Sequence, residues 1–196
     1  MKKLSSIIIT KKQLPIILAV LLGGAFLLAF HMFSSRAATS DAILLFNPSS
    51  SSVSAGSDFT LVARINPGSN TSVGVNAVQL DVTFDPVNLQ LSDIQKSDAF
   101  GTVFRSASIN NSVGTASIVL ITPSQPDITS TADIATFNFH AQAAGSSSVS
   151  FATSSNAAVN DDKGTLVVGT RTSASVMVTS SSDLTPPSYP PGLTLN

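Results

Sequence analysis

Short stretches of alternating apolar and polar residues fill the middle of the chain. Between residues 78 and 84 every second residue is large and apolar, which is the period of a β-strand with one buried side and one solvent-facing side. Asp85 and Pro86 end the pattern, because proline has no N–H to donate and an aspartate side chain caps turns. The pattern predicts a strand and a turn, and the strand residues predicted to face solvent are Ala77, Gln79, Asp81 and Thr83.

Comparable stretches recur along the chain and are separated by turn sequences rich in Ser, Gly and Asn. The chain has no Glu and few Lys, which removes strong helix formers, and it is rich in Val, Ile, Thr and Phe. We therefore predict an all-β fold, a β-sandwich of about nine strands. The predicted strands are 42–46, 58–65, 75–84, 89–94, 102–109, 115–121, 132–141, 147–151 and 165–178, the last with a break near Gly169.

The inward positions of these strands predict one core between two stacked sheets. The chain has no cysteine, which excludes disulfides and thiolate metal sites, so this core alone must stabilise the fold. The predicted core residues are Phe46, Phe59, Leu61, Leu80, Phe84, Leu91, Phe104, Ile118, Leu120, Phe137, Phe139, Phe151, Leu166 and Val168.

Residues 1–37 differ in composition from the rest of the chain. Lysines precede an apolar run, and the segment 14–33 has about the length needed to cross a bilayer. We predict one N-terminal hydrophobic helix, either a signal peptide cleaved after Ala37 or a transmembrane anchor through residues 14–33. Because positive charges precede the run and few follow it, the remainder of the chain is predicted to be exported.

Beyond Arg36 the chain carries five basic residues against eleven acidic ones, all of them Asp. Neutralising phosphates requires a basic patch, and this part of the sequence offers none. Nucleic acid is therefore not an expected partner.

Four sequence segments, taken in order, resemble the cohesin domain, the dockerin-binding module of bacterial cell-surface and cellulosomal scaffolds. The strand that ends in Phe-Asp-Pro and is followed by a leucine-bearing return strand is the most informative of them. The resemblance spans residues 42–178 and implies a jelly-roll sandwich that is non-catalytic and binds a protein partner, with a dockerin-like protein as the candidate. The segments are VNAVQLDVTFDPVNLQL at 75–91, AILLFNPSSSSVSAGSDFTLVARIN at 42–66, ADIATFNFHAQAAGSSSVSF at 132–151 and VNDDKGTLVV at 159–168.

Residues 179–196 are rich in Ser and Pro and show no burial pattern, which predicts an extended linker. The Thr-Pro-Pro and Gly-Leu of this tail also resemble the opening of a bacterial fibronectin type III module.

Cohesins bind a helical dockerin on one sheet face, to which the strand before the Asp-Pro turn contributes. The resemblance therefore implies that the partner-binding residues are Ala77, Gln79, Asp81 and Thr83. Familiar cohesins carry Asn and Asp near the first two of these positions, where this chain aligns Ala77 and Gln79. This departure implies a different partner specificity.

Other chemistry is sparse in the sequence. Asn160, Asp161 and Asp162 are clustered oxygen donors that could hold calcium, although Asn, Asp and Gly are equally what a tight hairpin turn needs. His140 lies near the end of a predicted strand and is expected to be a surface or edge residue. A catalytic histidine would need an acid to orient it, and the sequence shows no such partner. With no nucleophile elbow, zinc motif or phosphate loop, we expect no enzyme, no catalytic residues and no cofactor other than possible calcium.

Two alternatives remain open at this point. A carbohydrate-binding module shares the sandwich fold and would bind polysaccharide, but the chain has no Trp and its single Tyr, Tyr189, is in the linker. A structural spacer of a surface protein would have no specific ligand.

Overall fold

A computed structural model of the chain describes residues 38–123 and 126–180. The predicted N-terminal helix with its cleavage site, and most of the predicted linker, lie outside the described residues. Within the part that is described, no helix is long and apolar enough to cross a membrane.

The described part of the chain is all-β, as predicted, with twelve strands and one 3₁₀ turn at Asn70–Ser72. The strands are β1 Ala42–Asn47, β2 Ser50–Ser54, β3 Asp58–Asn66, β4 Val75–Thr83, β5 Leu89–Lys96, β6 Thr102–Asn110, β7 Thr115–Ile121, β8 Ala132–Ala141, β9 Gly145–Phe151, β10 Asn156–Val159, β11 Val168–Thr172 and β12 Ala174–Thr179.

The strands form two sheets that make a jelly-roll sandwich. The five-stranded sheet has the order β11-β1-β3-β8-β5. The seven-stranded sheet has the order β2-β12-β9-β4-β7-β6, with β10 pairing beside β9 on β4. All strand pairs are antiparallel except β1 with β11 and β2 with β12. Each sheet therefore has one parallel pair at an edge, formed by a strand from the start of the domain and a strand from its end.

The core lies between the sheets and is built from the apolar half of each alternating strand. Phe46 stacks on Phe151 with ring centroids 4.1 Å apart and meets the edge of Phe137 at 5.8 Å. Phe84 packs edge-on against Phe139 at 5.4 Å. Each such side chain, removed from water, contributes about 1.5–3 kcal/mol, so these clustered rings account for much of the force that joins the sheets.

Two residues predicted to lie in the core are exposed instead. Phe104 is 72% exposed because β6 is an edge strand whose pairing with β7 slips between Val103 and Arg105. Leu166 is 57% exposed because it lies outside the strands, joined to β10 only by a bridge to Ala158.

The strand count also exceeds the prediction. The serine-rich segment that becomes β2 was predicted as a turn, but it pairs in register with β12. The short β10 was not predicted and pairs with β4. The last predicted strand is irregular at Gly169, which is skipped in the pairing of β11 with β1, and it is interrupted at Ser173, where the chain crosses from the sheet of β11 to the sheet of β12.

Candidate functional site

The central strand of the seven-stranded sheet presents the four residues predicted to face solvent. Along β4 the inward side chains are buried, whereas Ala77, Gln79 and Asp81 are half-buried and Thr83 is exposed. The alternation therefore places all four on the outer face of this sheet. We call the outward residues of β10, β4, β7 and β6, together with Leu166 and Ser150, the graded face.

The pairing registers arrange the graded face in four rows across the strands. Residues directly opposite each other on paired antiparallel strands point to the same side, so each row is a line of neighbouring side chains. From one end of β4 to the other the rows are Leu166–Ala158–Ala77–Ile121, Asn156–Gln79–Val119–Arg105, Asp81–Ser117–Ser108 and Ser150–Thr83–Thr115–Asn110.

The first two rows border a shallow groove with a volume of about 400 Å³. Ala77, Val119, Ala158 and Leu166 line it with aliphatic side chains, and Gln79 adds an amide. The last two rows border a polar pocket of about 270 Å³, which is lined by Asp81 together with Thr83, Thr115 and Ser117. The face therefore changes from apolar at one end to acidic and hydroxyl-rich at the other.

Asp81 lies where the neighbouring strand on β4 is interrupted. β9 pairs with β4 as far as Val82 and β10 begins opposite Gln79, so Asp81 has no strand partner on this side of β4, although Ser117 of β7 pairs with it on the other side. The buried Ser155 fills this gap: its Oγ accepts from the Asp81 N–H at 2.9 Å and donates to the Asp81 carbonyl at 2.7 Å. The Ala152 N–H donates to the same carbonyl at 2.7 Å.

The carboxylate of Asp81 is held by one side chain. Gln79 Nε2 donates to Asp81 Oδ2 at 2.7 Å. Asp81 Oδ1 accepts no hydrogen bond from any residue in the ranges 38–123 and 126–180. Within the same ranges, neither Asp81 nor Arg105 forms an ion pair with any residue. The graded face thus carries one uncompensated anion and, two strands away, one uncompensated cation.

The cluster predicted as a possible calcium site forms a closed turn. The Asp161 carboxylate accepts from the backbone N–H groups of Lys163 and Thr165, each at 3.1 Å, and from the Thr165 hydroxyl. The hydroxyl bond, followed by these backbone bonds, lowers the pKa of Asp161 from an ordinary 3.8 to about 2. Asp162 adopts a left-handed φ of 60°, as a tight turn requires.

Asn160 points away from this turn, because its Nδ2 donates to Asp127 Oδ2 at 3.0 Å. The described residues contain no group of three His, Cys, Asp or Glu side chains placed to hold a metal ion. Nothing tests calcium binding through backbone and amide oxygens, so calcium at Asn160, Asp161 and Asp162 stays a prediction.

His140 lies on the outer face of the other sheet, where the alternation places it. Its Nδ1 is 2.6 Å from Asp58 Oδ1, with the two side chains 40% and 86% exposed. Asp58 is the acid partner that the sequence alone did not reveal. The pair is solvated and lies on the opposite side of the sandwich from the graded face.

Sequence reasoning identified the β4 residues of the graded face, but it missed the residues that neighbouring strands add to the face and the buried Ser155 that supports Asp81. Leu166 and Arg105 reach it only through the pairing of β10 and β6, which no local pattern specifies. Ser155 sits in the Thr-Ser-Ser run after β9, where nothing distinguishes it from its neighbours until it is found buried. Register, not residue type, was the missing information.

Comparison with known proteins supports the same fold. The protein-family model of the cohesin domain matches residues 46–178. The chain therefore belongs to the cohesin domain family. A search of curated proteins gave no match.

Solved cohesin structures superpose on this chain at low sequence identity. The seventh ScaB type I cohesin of Pseudobacteroides cellulosolvens is 18% identical with a TM-score of 0.57, over 74% of this chain and 96% of that one. A third ScaC cohesin of Acetivibrio cellulolyticus, solved with the ScaB dockerin, is 16% identical with a TM-score of 0.57, over 70% and 98%. The cohesin module of a Clostridium perfringens family 33 glycoside hydrolase is 15% identical with a TM-score of 0.57, over 74% and 100%. At these identities the likeness shows the shared fold alone.

Proposed function

We propose that this protein is a non-catalytic, exported module that docks a protein partner at a bacterial cell surface through the graded face. One observation carries the proposal: the chain is a cohesin domain, and the outer face of one of its sheets has a central strand that presents Ala77, Gln79, Asp81 and Thr83. The face is mixed in polarity, with an aliphatic groove beside a polar pocket, so it offers a protein partner both apolar and hydrogen-bonding contacts.

The partner is proposed to be a dockerin-like helical protein. Two similar structures support this: the Acetivibrio cellulolyticus cohesin in complex with the ScaB dockerin, and the Coh-OlpA-Doc918 complex from Clostridium thermocellum. The apolar Ala77 and the amide Gln79 on the central strand of the face support a partner whose contact residues differ from those of familiar dockerins.

The proposed location rests on the N-terminal sequence. The lysines and the apolar segment of residues 1–37 support export, followed either by cleavage after Ala37 or by retention in the membrane through residues 14–33. The Ser- and Pro-rich residues 179–196 support a spacer role for the tail.

The proposal is tested by immobilising the full chain and exposing it to secreted and envelope proteins of the producing organism, once with calcium and once with a chelator. We expect one protein to be retained in calcium alone, because dockerins fold around calcium. Ala77→Arg places a long cation on the central strand, in the aliphatic first row of the face, and should abolish capture. Thr136→Arg, a half-buried outward position on β8 of the opposite sheet, should not.

Two other results would contradict the proposal. Equal capture by the two arginine variants would remove the graded face from the binding site. Retention of the chain on an insoluble glycan, with no protein captured in either condition, would favour the carbohydrate-binding alternative.

A further inference from the structure

The graded face is asymmetric along the direction of its strands. Its first row is aliphatic, and its third and fourth rows carry a carboxylate and hydroxyls. Successive rows lie two residues apart on β4, so the first row is about 13 Å from the third at about 3.3 Å per residue. An elongated partner lying along β4 therefore meets different chemistry at its two ends.

Leu166 fixes the apolar end. The backbone on either side of it is tied to β10, since the Val159 N–H donates to the Thr165 carbonyl at 3.1 Å and the Val167 N–H donates to the Ala157 carbonyl at 2.9 Å. The side chain nevertheless remains 57% exposed at the border of the groove. A positioned aliphatic side chain that is left in water gains most from an apolar partner residue.

Asp81 fixes the opposite end. Ser155 and Ala152 hold its backbone, Gln79 holds one carboxylate oxygen, and the hydroxyls of the third and fourth rows surround the pocket beside it. A lysine or arginine placed there would find a charged acceptor together with hydroxyl acceptors.

Arg105 reinforces this polarity. It lies in the second row, beside Val119, and bears the same charge as the expected partner residue. A partner cation is therefore disfavoured in the second row and favoured in the third.

We propose that the graded face binds an amphipathic helix in a single orientation, with an aliphatic side chain over the first row and a lysine or arginine over Asp81. Residues seven or eight positions apart lie on one face of a helix and are separated by about 10.5–12 Å at about 1.5 Å per residue, and the long lysine or arginine side chain spans the remaining distance to Asp81. The inference rests on the proposed docking function and adds the contact chemistry of the partner and its direction along β4.

The test uses the full chain, immobilised in mild detergent, and a displayed library of two-helix proteins randomised on the outer surface of one helix. Binders that also bind the Ala77→Arg chain are discarded, so those that remain depend on the graded face. We expect the remaining binders to be enriched in an aliphatic residue and a basic residue about seven or eight positions apart on the randomised face.

Variants of the full chain then check each end of the face with these binders. Asp81→Lys should weaken binding at least about tenfold, and changing the basic residue of the binder to Glu should restore it. Leu166→Ser, at an exposed position, should weaken binding without disturbing the fold. Asp93→Lys is the matched control: Asp93 is also a strand aspartate that accepts from a glutamine two residues away, at 3.0 Å, but it lies on β5 of the other sheet.

The possible outcomes distinguish this inference from the proposed docking function on which it rests. Binders that depend on the face but lack the aliphatic and basic pair, or that tolerate Asp81→Lys, would overturn the inference and leave the docking function standing. If every binder from the library also binds the Ala77→Arg chain, both the inference and the docking function of the graded face would be overturned.

Discussion

Asp161 shows how one carboxylate shapes a surface turn. Its ionised form accepts three hydrogen bonds from Lys163 and Thr165, which is why its pKa falls to about 2. A carboxylate whose pKa is lower in the folded chain than in the unfolded chain stabilises the fold above the unfolded value, and this contribution is lost as pH falls through the folded value.

We therefore expect Asp161→Asn to lower the thermal midpoint at neutral pH. The difference from the unsubstituted chain should shrink between pH 3.8 and about pH 2, as Asp161 becomes protonated in both states. Asp41, whose pKa is lowered mainly by a hydrogen bond from the Ser69 side chain, is common to both proteins and so does not affect the difference. A difference that is constant across this pH range would show that the charge of Asp161 does not hold the turn.

The same turn gives a direct measurement of calcium binding. Because the Asp161 oxygens are already engaged by the hydrogen bonds of the turn, we expect equal thermal midpoints of the full chain in calcium and in chelator. A midpoint that rises with calcium concentration would support the calcium prediction for Asn160, Asp161 and Asp162.

Ser155 is a residue whose importance comes entirely from its position. Ser155→Ala leaves the Asp81 N–H without its acceptor inside the sheet, which should cost about 1–3 kcal/mol of unfolding free energy. The urea midpoint measures the loss. Ser154→Ala, at the exposed neighbouring position, should lie within about 0.5 kcal/mol of the unsubstituted chain.

At the scale of strands and turns, two glycines separate backbone strain from crowding. Gly114 and Gly164 both have left-handed φ values, 67° and 65°, so alanine is strained at either site. A Cβ on Gly114 would lie 2.0 Å from the Phe84 carbonyl oxygen, whereas a Cβ on Gly164 would meet nothing within 4 Å.

We expect Gly164→Ala to cost about 1–2 kcal/mol from the left-handed backbone alone. Gly114→Ala should cost clearly more, because the turn before β7 must also move away from the end of β4. Denaturant unfolding of the two variants makes the comparison. Equal losses would mean that the turn at Gly114 relaxes freely.

The strands that the sequence predicts well are those in which burial alone sets the alternation. β4 and β8 are of this kind, and their outward residues follow from their inward ones. β2 could not be predicted, because five residues of Ser and Val read as a turn until β12, more than a hundred residues later, pairs with them. Hydrophobicity alone predicts burial of Phe104 and Leu166, because it identifies neither an edge strand such as β6 nor a residue that lies between strands.

The candidate site divides in the same way. The outward residues of its central strand β4, from Ala77 to Thr83, follow from local alternation. Its rows follow from pairing between β10, β4, β7 and β6, which depends on contacts distant in sequence. The polarity of the graded face is therefore a property of the register, visible only once the strands are assembled.

At the scale of the whole described domain, the fold and the binding chemistry are separable. Cohesin structures 15–18% identical to this chain share its sandwich. A sandwich needs only that inward positions be apolar, so outward positions are free to differ between relatives. Under the docking function proposed above, partner specificity is set by the rows of the graded face.

The two parallel pairs at the start and end of the sandwich have a mechanical consequence. The chain enters the domain through β1, which runs parallel to β11, and leaves through β12, which runs parallel to β2. A force that pulls the two ends apart slides each strand along its parallel partner and stretches all the hydrogen bonds of the pair together, instead of opening them one at a time. The same closure that completes the two sheets would let the domain transmit tension without unravelling from its ends.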